Sequence, residues 1–366
     1  LHSTNFDLNR GPVATFLYFY GIIKPMKAIF QKINVKLSIL PDLSIIVPVY
    51  NGEQTLARCL DSIQLNPKTS YEIICVNDGS KDHTKEIIAT CRRHNHHIKV
   101  INLKYNSGLF HARLAGVKKA RGRYLGFVDS DDYVDPAYFD KLLNAAKQNS
   151  ADIAVGGIIM QNQNGENYVQ PNCFVFPYLP NPKDQNRSIK ELFWSEASRC
   201  YPWYVVWNKI YKTKLWKQNL SIFSRNLRHQ VSGEEIIFST FIMPNVKTYA
   251  VNPTAHYYYV QSDSSSTNTH HNANALRKKI NDTISSFDFV EKNLIATSQD
   301  QIMRTGFLNW KKRAARYWER SLYSNRYLPI TERNLCSLKL EKLAGGNIEN
   351  ISKADDYYYS NIIRTD

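Results

Sequence analysis

From Leu43 onward, short apolar runs alternate with stretches whose apolar residues recur at helical spacing. Ser44–Tyr50 (SIIVPVY) reads as a buried strand closed by Asn51-Gly52, and Leu56, Leu60 and Ile63 then make the apolar face of a helix. Tyr71–Val76 (YEIICV) predicts a second strand, ended by Asn77-Asp78-Gly79-Ser80, with Asp82 placed to cap a helix that runs to about His94. Ile98–Leu103 is a third strand, followed by a helix from near Ser107, and Arg123–Val128 is a fourth. Pro136 stands in the first turn of a further helix, and Ala151–Gly157 gives a fifth strand. Strands alternating with helices predict an α/β fold with a mostly parallel sheet covered on both faces. In such sheets ligands bind beyond the carboxyl ends of the strands.

Beyond Met160 the rhythm changes. Residues 161–187 are rich in Asn, Gln and Pro, and residues 183–228 are aromatic and basic. Gly233-Glu234-Glu235 leads a helix, Ala255–Val260 (AHYYYV) predicts a strand, and residues 261–270 form a polar loop. From about 273 to 327 the pattern is helical, with basic and aromatic residues mixed. Four segments follow: a basic and aromatic arm (1–42), a first α/β half (43–160), a second half (161–267) and a helical extension (268–366).

The candidate chemistry lies in the loops after successive strands: PVYNGE, NDGSKD, NSGLFHARLAG and DSDDYVDP. Each alone is ordinary turn chemistry. Four polar loops at the same end of one parallel sheet point to a ligand site. The sharpest is Asp129-Ser130-Asp131-Asp132, whose three carboxylates repel one another unless a cation neutralises them. Hard divalent ions take such oxygen ligands and share their shell with substrate phosphates. This D-x-D reading makes Asp131 the principal metal ligand, with Asp129 a second ligand or a ribose hydroxyl acceptor. The plainer reading is a solvated acidic loop in which Asp135 caps a helix.

Taken in order, SIIVPVYNGEQTLARCLDSI, EIICVNDGSKDHT, NSGLFHARLAGVKKARGRYLGFVDSDDYVDP, Trp207–Lys212 (WNKIYK) and GEEIIF resemble the family 2 glycosyltransferases. These are inverting enzymes of the GT-A fold, with a Rossmann-like nucleotide half and an acceptor half. The resemblance covers residues 43 to 267 and is tightest over the first half. It implies a nucleotide-sugar site of Pro48, Val49, Tyr50, Glu53, Asp78, Gly79, Asn106, Gly108, Arg113, Asp129 and Ser130. A divalent metal, Mn²⁺ or Mg²⁺, is implied on Asp131 and Asp129. The physical chemistry of these side chains agrees: Tyr50 offers a face for base stacking, Asp78 an acceptor for an imino N–H, and Gly108 lets backbone approach closely. Arg113 has a second reading, pairing with a carboxylate on its own helix. The family's base is the second residue of an acidic pair on a later helix, which here is Glu234-Glu235, so Glu235 is expected as the base. Adjacent carboxylates at a helix start also complement its dipole. Asp132 is the other candidate base.

Two departures stand out. Val260 and Ser262 occupy places where many relatives carry an Arg and a His that contact the diphosphate, leaving His229, His256 and the arginines of 224–228 as substitutes. Asn77 replaces the first Asp of the usual DDGS. The QxxRW motif of membrane-embedded synthases is absent.

The bulk composition then narrows the partners. No apolar run reaches membrane-spanning length, the longest being Val13–Ile23, interrupted by Gly21. That segment suits a membrane-surface anchor or a partner helix. The six cysteines show no metal spacing and read as reduced thiols of a cytoplasmic protein. The chain of 366 residues carries a formal charge of +15, which predicts an anionic partner. Residues 43–160 hold 15 Lys/Arg against 12 Asp/Glu, so most of the excess lies elsewhere, where an acceptor would approach. No helix-turn-helix, RNP or zinc pattern supports nucleic acid.

The expectation is therefore a UDP-sugar-dependent transferase, cytoplasmic or peripheral on the inner membrane face. Its acceptor would be an acidic glycan or a lipid-linked one in capsule, lipopolysaccharide or teichoic-type synthesis. The alternative is a catalytically silent GT-A module that binds a nucleotide-sugar or glycan as a scaffold.

Overall fold

All seven residues of β1 (Leu43–Val49) are buried, as a strand flanked on both sides and covered on both faces must be. The coordinates are a computed structural model, which describes residues 40–162, 164–168, 188–196, 203–261, 273–325 and 328–346. The expectations for the N-terminal arm, Ser262, Cys173 and Cys200 lie outside these residues. Residues 41–366 fall into one unit, separate from residues 1–40.

After β1 come α1 (Leu56–Ser62), β2 (Tyr71–Asn77), α2 (Thr84–His94), β3 (Ile98–Asn102), α3 (Leu109–Lys119) and β4 (Tyr124–Phe127). The short β5 (Tyr133–Val134), α4 (Tyr138–Gln148), β6 (Ile153–Gln161) and β7 (Asn167–Tyr168) follow. Then come α5 (Ile189–Glu196), β8 (Lys209–Lys212), α6 (Thr213–Lys217), α7 (Leu220–Phe223), α8 (Glu234–Ile242) and β9 (Tyr249–Val260). Three long helices, α9 (Ala273–Val290), α10 (Gln301–Ser324) and α11 (Ile330–Ala344), complete the described chain.

The sheet order is β3-β2-β1-β4-β8-β6-β9-β5, with β7 paired to β6. Its first four strands are parallel, as the sequence rhythm requires. Beyond β4 the pairing turns antiparallel through β8, then parallel between β6 and β9, with β5 antiparallel at the far edge. Strands β2 and β4 lie on opposite sides of β1, so the order reverses there and a crevice opens above the carboxyl ends of β1 and β4.

Local chemistry moves some boundaries. Asp82 lies one position before the helix cap His83, and its Oδ1 accepts the Thr84 N–H at 3.1 Å. Strand β9 is twelve residues long, reaching back past Pro253. The proline is accommodated where the β6–β9 register slips between Gly156 and Gly157. In the helical extension, the Trp310 ring of α10 packs against Phe193 of α5 and Phe287 of α9, with centroids 5.9 and 5.7 Å apart.

Candidate active site

An aromatic stack brings the site together. Phe110 in the first turn of α3 stacks on Phe238 of α8, with centroids 4.7 Å apart and planes 4° from parallel. Helical spacing does the rest: Arg113 is three residues after Phe110, and Glu234 is four before Phe238. The two side chains therefore meet beside the stack. Arg113 Nη1 donates to Glu234 Oε1 at 2.5 Å and lies 3.7 Å from Glu235 Oε1, while Nη2 donates to both oxygens of Asp129, at 2.7 and 3.0 Å.

Arg113 is 1% exposed, so its pairing lies across the fold and not along its own helix. Burial opposes its charge, but Asp129, Glu234 and Glu235 more than offset this and hold the guanidinium firmly cationic. The two glutamates are not equivalent. Glu234 is buried and spent on Arg113, whereas the Glu235 side chain keeps 17% exposure and accepts the Val206 N–H at 3.1 Å. Val206 is presented by a turn that Lys209 closes, its buried ammonium donating to Val205 O and Asn208 Oδ1 at 2.6 and 2.5 Å. Burial pushes Glu235 above the ordinary carboxylate range; Arg113 opposes this, and Glu234 and Asp129 add to it. A carboxylate so tuned can accept a proton near neutral pH.

The aspartates of the 129–132 loop divide in the same way. Asp131 is half-buried and, among the described residues, has no side-chain hydrogen bond or ion pair to another residue, while burial and then the Asp129 charge push it up to about 6. Arg58 Nη2 donates to its main-chain carbonyl at 2.7 Å. Asp132 is 1% exposed, with Oδ2 accepting from the Tyr257 hydroxyl and Oδ1 from the Val260 N–H, both at 2.8 Å. It is engaged by β9, which turns it away from the part of second candidate base. Ser130, beside them, is half-buried.

Across the crevice, Tyr50 is 42% exposed above the buried Pro48 and Val49. Asp78 is buried, and its two oxygens accept the N–H groups of Ser107 and Gly108 at 2.7 and 2.8 Å. Burial raises its pKa despite these bonds. Gly79 has φ +73°, and a Cβ there would stand 2.6 Å from the Tyr105 carbonyl carbon. Gly108, at φ +88°, bridges to Gln230, whose carbonyl oxygen would be 2.4 Å from a Cβ. Asn106 Oδ1 lies 3.1 Å from the Gly108 N–H and 2.9 Å from His229 Nε2. Glu53 and Asp82 exchange loop contacts: Asp82 Oδ2 accepts the Glu53 N–H, and Glu53 Oε2 accepts the His83 N–H, both at 3.0 Å.

Of the substitutes for the family's Arg and His, His229 reaches the Asn106 loop. His256 pairs with Asp135 at 2.8 Å and Arg228 with Ser285 at 2.8 Å. Sequence reasoning missed Tyr257, Val206 and Arg58. Only Tyr257 had a local signal, the period-2 alternation of the tyrosine strand, which sets one ring in the core.

A parallel Rossmann-like half, an antiparallel crossover into a second half and an acidic loop at the strand ends agree with the GT-A fold expected from the sequence. Comparison with known sequences points the same way: residues 44–206 match the model "Glycosyl transferase family 2". An uncharacterized glycosyltransferase of Bacillus subtilis, EpsJ, is 36% identical over 189 residues, 52% of this chain and 53% of its own. The poly(ribitol-phosphate) beta-glucosyltransferase of Bacillus spizizenii is 31% identical over 60% of this chain and 32% of its own. The chain thus spans about half or less of the length of these relatives. The structure of S. aureus TarS 1-349 in complex with UDP-GlcNAc aligns over 87% of this chain and 92% of that one, with 20% identity and a TM-score of 0.48.

Proposed function

We propose that the protein transfers a sugar from a UDP-sugar to a hydroxyl of a glycan or lipid-linked acceptor in cell-surface polysaccharide synthesis, with inversion and with a divalent metal. One observation carries the reading: Arg113 gathers the 129–132 loop and the Glu234-Glu235 pair into a single buried cluster. An acid-rich donor loop and a proton acceptor are the two parts such a displacement needs.

In this reading the acceptor oxygen attacks the anomeric carbon as the bond to the diphosphate breaks. UDP leaves, and the acceptor's proton passes to Glu235. Glu234 stays bound to Arg113 and holds that base in place. Tyr50 stacks on the uracil ring, and Asp78 accepts a hydrogen bond from that ring while ordering the loop at Ser107–Gly108.

The residues suit Mn²⁺ or Mg²⁺. Asp131 offers unengaged carboxylate oxygens next to Asp129, and such ions need only one or two carboxylates when phosphates complete their shell. Among the described residues no three His, Cys, Asp or Glu side chains form a metal cluster on their own, which suits a site shared with substrate. The metal would supply Lewis-acid stabilisation of the departing diphosphate.

The acceptor is taken as acidic because the basic excess lies outside residues 43–160, and a relative is named for poly(ribitol-phosphate). A peripheral position on the inner face of the bacterial membrane follows from a lipid-linked acceptor. Among the described residues no helix is long and apolar enough to cross a membrane.

The test is UDP release from a panel of UDP-sugars with Mn²⁺, Mg²⁺ or EDTA. Release from none of them, over a broad acceptor panel, would sink the enzyme reading. The alternative, a silent nucleotide-sugar-binding module, draws on Arg113 already neutralising both oxygens of Asp129. It requires metal-dependent UDP binding without turnover.

A further inference from the structure

We propose that Tyr257 is a positioning residue for the metal-binding aspartates, acting through Asp132 and the main chain of Asp129. The proposal rests on the metal reading given above. The Tyr257 ring is fully buried on β9, 4.5 Å from the Trp207 ring and 6.3 Å from that of Tyr138. Its hydroxyl donates to Asp132 Oδ2 at 2.8 Å and accepts the Asp129 N–H at 3.0 Å. The other oxygen of Asp132 accepts the Val260 N–H. The third carboxylate of the acidic loop is thus a fastening to β9.

The seam continues beyond Asp132. Tyr133 pairs with Tyr258 and stacks on it, centroids 4.5 Å apart at 7°. The Asp135 N–H donates to the His256 carbonyl at 3.0 Å, and the His256 ring returns a contact to the Asp135 carboxylate. Residues 129–135 are therefore moulded along the last turn-outs of one strand, with Arg58 holding the main chain at Asp131.

Two carboxylates that share an octahedral ion tolerate little error in placement, and partners behind the ligands set that placement. A tyrosine hydroxyl supplies the donor and the acceptor used here. Phenylalanine keeps the packing and loses both.

The experiment is calorimetric titration of UDP into the full chain, across Mn²⁺ concentrations and with EDTA. For Tyr257→Phe the expected result is an apparent Mn²⁺ affinity about 10-fold weaker, with UDP binding in EDTA unchanged. In turnover, the Mn²⁺ concentration for half-maximal rate should rise and the rate at saturating Mn²⁺ should recover. Asp132→Asn should weaken Mn²⁺ similarly, and the double variant no further, because both act through one contact. Unchanged Mn²⁺ affinity in either variant overturns the proposal. Additive losses overturn it too, since Asp132 would then be a ligand in its own right. If UDP binding by the unaltered chain ignores Mn²⁺, the metal reading itself falls and takes the proposal with it.

Discussion

Arg113 Nη1 and Glu234 Oε1 lie 2.5 Å apart although 121 positions separate them in the chain. Both side chains are buried, so neither charge has water to fall back on. Arg113→Met should leave Glu234, Asp129 and Glu235 uncompensated and lower stability by about 3–5 kcal/mol. Adding Glu234→Gln should restore part of that loss. Urea unfolding of the four proteins checks this, and simple additivity of the two changes would contradict it.

Glu235→Gln should lower kcat by about 10²–10⁴ while leaving UDP affinity within error. A base works deprotonated, and burial has pushed this one upward, so the rate of the unaltered protein should climb as pH rises through neutrality. A pH–rate profile already flat from pH 5 upward would remove Glu235 from the part.

Gly108→Ala should weaken both the fold and the proposed nucleotide site. At φ +88° and ψ 160° the backbone is in territory that glycine alone occupies comfortably. The added methyl would also meet the Gln230 carbonyl at 2.4 Å. A cost of about 1–3 kcal/mol is expected for the conformation alone. UDP affinity should fall with it, because the Gly108 N–H is one of the two that Asp78 accepts.

Lys279 of α9 is 6% exposed, and among the described residues none makes a hydrogen bond or ion pair with its ammonium. Burial pulls its pKa down to about 8, from an ordinary value of 10.5. The folded state therefore holds less proton than the unfolded state between those values. Stability should be lowest below pH 8 and rise as pH goes from 8 to 10.5. Lys279→Met should raise stability at pH 7 by about 1–3 kcal/mol and remove this contribution to the pH slope. Thermal melts of both proteins at pH 7 and 9.5 would settle it, and a methionine variant that melts lower would contradict it.

What could be read from the sequence was local. Strands β1, β2 and β4 announce themselves because a buried parallel strand is apolar at nearly every position. The acidic loop stands out because three carboxylates in four residues need a reason. Its internal division into Asp131, half-buried, and Asp132, fastened to β9, was not legible, because the partners of Asp132 lie more than 120 positions away. Arg113 was assigned to the nucleotide wall from its place in a motif. Its cage of carboxylates comes from the Phe110–Phe238 stack, which no single stretch of sequence contains. Strand β8, only four residues long, is held between β4 and β6 and carries no alternation strong enough to announce it.

The seam between β9 and the acidic loop bears on how such proteins can be recombined. Residues 43–160 look like a portable donor cassette, since they hold the four parallel strands and every aspartate of the loop. Yet the strand that shapes the loop begins at Tyr249. A chimera joined anywhere between 161 and 248 would inherit the aspartates from one parent and their mould from the other. Such grafts should succeed only where the incoming second half brings a tyrosine hydroxyl and a free strand amide at the places of Tyr257 and Val260.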